Sequence, residues 1–189
     1  MMDYQPKDYS GLLGMTGLSD ALLNNHFTLY QGYVTNTNTL QKLLSEAELN
    51  SPAYNELKRR FGWEWNGMRL HELYFENMTK EATSSPSEKV LSALTKSFGS
   101  VETWRADFIA TGAMRGIGWV ILVQDEETGA LFNTWINEHD LGHLASAKPL
   151  LVMDVFEHAF MIDYGIKRAD YLATFMNAID WSVVEKRFV

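Results

Sequence analysis

Between residues 18 and 78 the chain carries two long series of apolar and aromatic residues at three- and four-residue steps, divided by Asn50-Ser51-Pro52. That spacing is the period of an α-helix with one buried face, and a proline directly after a serine suits the first turn of a helix. The first series opens at Leu18-Ser19-Asp20, where a hydroxyl is placed to cap, and runs through Leu22, Leu23, His26, Leu29, Tyr30, Tyr33, Val34, Leu40, Leu43 and Leu44. The second runs through Tyr54, Leu57, Phe61, Trp65, Met68, His71, Leu73, Phe75 and Met78. Two long antiparallel helices, each covering the other's stripe, follow from this pattern. Each stripe carries one histidine. Taken singly, such a histidine is more often a core residue with one bonded nitrogen than a ligand. Tyr30 and Tyr33, one and two turns beyond His26, tilt the first stripe toward function. Gly62 and Gly67 each cost about 1 kcal/mol relative to alanine in a helix. A bend or a close packing contact is expected near them, with Gly67 leaving space over His71.

The period changes after Thr83-Ser84-Ser85-Pro86-Ser87, the most loop-like stretch. A domain boundary is placed there, giving an N-terminal helical hairpin domain (1–84) and a C-terminal mixed domain (85–189). Residues 1–17 read as an extended lead-in. Two shorter helices are predicted from Glu88 to Phe98 and from Val101 to Met114. Apolar, β-branched stretches at 117–123 and 130–136, separated by a polar turn, predict a β-hairpin, and Pro149–Met153 predicts a third strand. The tail from Asp163 to Phe188 reads as helical. The class is α+β, with a three-stranded antiparallel sheet surrounded by helices in the second half.

The third strand ends abruptly on charge, in Asp154-Val155-Phe156-Glu157-His158. If a helix begins here, Asp154 and His158 stand one turn apart and face the same way, as two ligands of one metal ion must. The absence of cysteine excludes disulfides, iron–sulfur clusters and thiolate sites, and suits a reducing cytoplasm. With 16 Lys and Arg against 24 Asp and Glu, a net charge of -8 argues against nucleic-acid binding. No stretch has the length and apolarity of a membrane span or a signal peptide, so a cytoplasmic protein without membrane contact is expected. Candidate ligands therefore stand on three elements: His26, His71, and Asp154 with His158. Three imidazoles and one carboxylate suit a redox-active first-row metal with one open position. A non-redox metal hydrolase is a weaker reading, since no residue is placed as its general base.

In the sequence Asp-Val-Phe-Glu-His-Ala-Phe at 154–160, followed by Tyr171-Leu and Asn177-Ala-Ile-Asp-Trp181, the chain resembles the iron/manganese superoxide dismutase family. Gly116-Ile-Gly-Trp119 and Tyr33-Val-Thr-Asn-Thr-Asn38 extend the likeness over essentially the whole length. The resemblance implies one iron or manganese ion per subunit, held by His26, His71, Asp154 and His158, and superoxide as the substrate. It implies Tyr33 as gateway tyrosine, Trp119 as pocket tryptophan and Arg168 as the basic residue near the substrate entrance. A homodimer is implied too, with Glu157 reaching His158 of the other subunit. A family member that binds metal without dismutase turnover is the alternative.

Several positions depart from the family pattern. The step from His26 to Tyr33 is one residue shorter than in the commonest members, so either the first helix lacks a bulge or the gateway is shifted. Tyr30 replaces a common histidine, and Met161 a tyrosine. Phe75 and Phe156 replace tryptophans, and Ala169 a proline. The family usually tunes the metal-bound solvent with a glutamine, supplied either four residues before the second ligand or from the loop after the second strand. Gly67 stands at the first place and His139 at the second. His139 is thus expected to be the tuning donor, with a proton that titrates near neutral pH.

Overall fold

The computed structural model describes residues 3–81 and 85–188. Helix α1 (Asp20–Glu46) begins where Ser19 Oγ accepts from the Leu22 N–H at 3.1 Å, and α2 (Pro52–Glu76) where Ser51 Oγ accepts from the Tyr54 N–H at 3.1 Å. Such a cap contributes about 1 kcal/mol and fixes where each helix starts. The two helices pack along their length as an antiparallel hairpin. Gly62 meets no neighbour and α2 continues through it without a break. At Gly67 the close contact is real, but a Cβ there would lie 2.5 Å from the Tyr33 ring. The missing side chain makes room for a tyrosine of α1 rather than for His71. The lead-in is not simply extended: it contains a 3-10 turn at Ser10–Leu12, and Leu12, Met15 and Leu18 are buried.

Helices α3 (Glu88–Phe98) and α4 (Val101–Gly112) are joined at Gly99, whose φ of 85° only glycine adopts freely. They cover a sheet of β1 (Gly118–Asp125), β2 (Leu131–Asn137) and β3 (Ala147–Asp154), all antiparallel in the order β2-β1-β3. β1 is the central strand and is buried from Gly118 to Gln124, as its uninterrupted apolar run requires. The C-terminal tail forms three short helices, α5 (Met161–Tyr164), α6 (Arg168–Asn177) and α7 (Trp181–Lys186).

Polar side chains stitch the two halves together. Asn77, just past α2, donates to Val152 O and accepts from Val152 N–H on β3. Arg187 donates to Leu73 O and Leu150 O, tying α2 and β3 to the end of the chain. One cluster of buried apolar residues runs continuously from Leu22 of α1 to Val184 of α7. The boundary expected after residue 84 lies partly outside the described residues.

Candidate metal centre

Asp154 is the last residue of β3, and its neighbour across the sheet is Trp119 of β1. It is not followed by an α-helix. Its Oδ1 accepts from the Phe156 N–H at 2.8 Å, a local turn characteristic of Asp, and the chain doubles back into a 3-10 turn at Glu157–Ala159. That turn brings His158 Nε2 to 3.2 Å from Asp154 Oδ2. The expected convergence is achieved, through a turn rather than through helical spacing. His26 Nε2 of α1 lies 3.2 Å from the same oxygen and His71 Nε2 of α2 lies 3.7 Å from it. One donor atom from each of the four residues falls within 4.8 Å of the others.

The chemistry of these atoms fits a cation. His71 Nδ1 donates to Gly67 O at 2.5 Å, one turn back on its own helix, which leaves the lone pair on Nε2. That nitrogen is buried and has no hydrogen-bond partner among the described residues. Burial pushes the imidazoles of His26 and His71 down, His71 the further, so both are neutral ligands. Burial alone would raise the Asp154 carboxyl, but the neighbouring His158 and His26 outweigh it and hold the group well below the usual carboxylate range. Three imidazoles and a carboxylate suit iron or manganese with a position left for substrate.

Directly beside the four donors lies a hydrogen-bonded chain. Trp119 Nε1–H donates to His139 Nδ1 at 3.0 Å, and His139 Nε2 lies 2.8 Å from the Tyr33 hydroxyl. Since Nδ1 accepts, a neutral His139 carries its proton on Nε2 and donates to Tyr33. His139 is fully buried, and burial lowers its pKa to about 4. The expected titration near neutral pH is therefore overturned, because the loop after β2 tucks under Trp63 and Phe156 instead of facing water. Tyr33 reaches this place because α1 is unbroken: seven residues are close to two full turns, so His26 and Tyr33 share a face. Its ring sits 5.0 Å from that of His71. Phe75 packs edge-on against His26 and Phe156 stacks on His158, so the two exchanged aromatics still wall the site.

Arg168 is half-buried and engaged with backbone carbonyls. Its guanidinium donates to Met114 O at 2.7 Å, to Gly116 O at 3.0 Å and to Val155 O, bracing the turn after α4 against the segment that follows Asp154. Glu157 is exposed, and the His158 side chain is 25% exposed beside it. Tyr30 turns inward to Glu72, its hydroxyl donating to Oε1 at 3.0 Å. Two residues near the site were not singled out from the sequence, Trp63 and Glu138. The signal was present: Trp63, Gly67 and His71 follow one another at four-residue steps along α2, so an aromatic, a gap and a ligand share one row.

Among the described residues one ion-sized cluster of three imidazoles and one carboxylate, set between a helical hairpin and an antiparallel sheet, has the make-up of a mononuclear metal site. Comparison with known proteins makes the class specific. The profile for "Iron/manganese superoxide dismutases, C-terminal domain" matches residues 86–187. "Superoxide dismutase [Fe]" of Cupriavidus metallidurans is 36% identical over 92% of this chain and 90% of its own length. "Superoxide dismutase [Mn] 1" of Haloferax volcanii is 32% identical over 100% of this chain and 96% of its own length. "Superoxide dismutase [Fe]" of Aquifex pyrophilus is 33% identical over 97% and 90%. The chain belongs to the iron/manganese superoxide dismutase family, and its cofactor is iron or manganese. No helix of the described residues is long and apolar enough to cross a membrane.

Proposed function

We propose that this protein disproportionates superoxide, two superoxide anions and two protons giving dioxygen and hydrogen peroxide. The observation that carries the reading is the convergence of His26, His71, Asp154 and His158 beneath the Trp119–His139–Tyr33 chain. His26, His71, Asp154 and His158 would hold the iron or manganese ion, which when bound would supply the one-electron redox chemistry. The protein's contribution is to hold the donors neutral or anionic as needed and to manage protons. Trp119 fixes the His139 tautomer, His139 donates to the Tyr33 oxygen, and the Tyr33 hydroxyl proton is thereby left free to point toward the reacting anion. Tyr33 is the terminal donor in this arrangement and His139 the group that sets its strength. Burial raises the Tyr33 pKa, so the phenol keeps its proton at physiological pH. Arg168 acts as a brace for the segment carrying Asp154.

The altered gateway region is what could favour the reading without turnover, and the contact between Tyr33 and His139 weighs against it. The deciding experiment loads the purified protein separately with iron and with manganese and measures superoxide consumption. Activity with at least one ion is expected; full metal occupancy with no activity for either would overturn the proposal.

The active unit is a two-fold dimer in which each Glu157 accepts from the partner subunit's His158, and the exposure of both side chains supports it. Sedimentation at micromolar concentration tests this, an active monomer being the contrary result. We also treat 1–84 and 85–189 as two domains that share the site, and place the protein in a reducing cytoplasm, the cysteine-free composition supporting the latter.

A further inference from the structure

The indole of Trp63 occupies an unusual position. It meets the His139 ring in a T-shaped contact with centroids 4.4 Å apart, lies tilted against Tyr33 with centroids 5.6 Å apart, and has the Arg60 guanidinium stacked over it at 3.9 Å. Arg60 is itself held by Glu64, at 2.6 Å. Trp63, Arg60 and Glu64, with Asn36, line a cleft of about 230 Å³ that has Tyr33 in its wall. The indole N–H points away from the cleft and donates to Glu138 Oε2 at 3.0 Å, a bond from α2 to the loop after β2.

Glu138 is the residue that most needs such support. It has a φ of 50°, in the left-handed region, where a side chain other than glycine is disfavoured by roughly 1 kcal/mol or more. This is the residue that turns the chain out of β2 and aims His139 inward. Its backbone N–H is held by Ile117 O at 3.1 Å, and its carboxylate by Trp63. His139 is then closed in on four sides, by Phe156 stacked at 4.9 Å, by Trp63, and by hydrogen bonds at each ring nitrogen.

We propose that Trp63 is a positioning residue for the proton-donor chain: through its bond to Glu138 it holds the strained turn, and through its ring it fixes His139 and Tyr33. Trp63 touches neither the four metal-binding groups nor, in this arrangement, the substrate. It acts only through its neighbours. The kinetic part of the test rests on the dismutase reading, whereas the spectroscopic part does not.

The test compares Trp63→Phe, which keeps an aromatic ring but loses the donor, with Glu138→Ala and Glu138→Gln in full-length protein loaded with iron or manganese. Metal content is measured first, then kcat and KM separately, then the affinity for azide read from the visible spectrum. Trp63→Phe and Glu138→Ala should keep their metal, lose kcat by about tenfold or more, as expected when a reacting group is displaced by a fraction of an ångström, and shift azide affinity at least threefold. Glu138→Gln, which retains an oxygen acceptor, should recover most of the loss. Wild-type kcat and azide affinity in Trp63→Phe would overturn the proposal, as would a normal Glu138→Ala. If the wild type consumes no superoxide, the dismutase reading fails while the azide comparison still decides this one.

Discussion

The centre is built in two tiers with the same plan. Each takes one side chain from α1, one from α2 and two from the sheet half: His26, His71, Asp154 and His158 in the inner tier, Tyr33, Trp63, Trp119 and His139 in the outer. They differ in how their polar atoms are satisfied. The outer tier is closed within the chain, each nitrogen of His139 and the indole N–H of Trp63 having a partner. The inner tier leaves His71 Nε2 buried and unpartnered among the described residues. A buried acceptor left alone costs about 1–3 kcal/mol. His26 Nδ1 is likewise buried and unpartnered among the described residues, so the inner tier is left open by the fold, at His71 Nε2 in the place a bound ion would take, while the His139 and Trp63 nitrogens of the outer tier are satisfied by folding alone.

Asp154→Ala should break this contrast most severely. Asp154 Oδ2 is the atom the three imidazoles share, so its loss should weaken metal affinity by more than ~100-fold, beyond the range typical for an outer hydrogen-bond partner. Metal analysis after dialysis checks it, and normal occupancy would dissolve the distinction between tiers.

Acid should act on the metal-free protein next. The His139 pKa is about 4 in the folded chain against 6.5 for the free side chain. Above pH 6.5 neither state binds this proton; between 6.5 and 4 the unfolded chain binds it and the folded one does not, so stability falls as pH falls. The loss from this residue is about 3 kcal/mol and saturates below pH 4. His26 and His71, also lowered, add to it in the same direction. Denaturation of metal-free protein across this window should show the slope, and His139→Gln should flatten it; an identical slope in both would mean that His139 is not buried in solution.

His139→Gln should leave the metal in place, change kcat by about tenfold, as altering one positioned proton donor does, and shift the ratio of activities with iron and manganese. Loss of metal would move His139 into the inner tier, and unchanged activity with both ions would end its role. The smallest effect is expected from Tyr30→Phe. It removes a hydroxyl bonded to Glu72 and to the Lys7 N–H, at a cost of about 1 kcal/mol in stability, with metal content and kcat unaltered. Reduced turnover in a stable variant would add a third tier.

The inner tier was legible in the sequence because each ligand sits in a context with a strong local signal. His26 and His71 lie on helical stripes with readable caps, and Asp154 closes an apolar run. Strand and helix limits came within a few residues for the same reason. The local geometry after Asp154 was not legible, since a side chain accepting from the N–H two residues on competes with helix initiation and wins here. The outer tier was half visible. The candidacy of His139 could be argued from Gly67, but its burial, its low pKa and its dependence on Trp63 and Glu138 arise from contacts between segments 75 and 106 residues apart. The carbonyl partners of Arg168 were not legible either, because composition along a chain does not reveal which carbonyls a guanidinium will find.

The glycine at 67 also bears on how such a site can be altered. A side chain there would collide with the Tyr33 ring at 2.5 Å, and that ring is pinned at its far end by His139, so it has no free direction in which to yield. A side-chain donor introduced at Gly67 alone would displace the Tyr33 ring beside it. Replacing His139 alone leaves the helix still without a donor. Gly67, Tyr33 and His139 are thus coupled through one ring, so a change at one of them is felt at the other two.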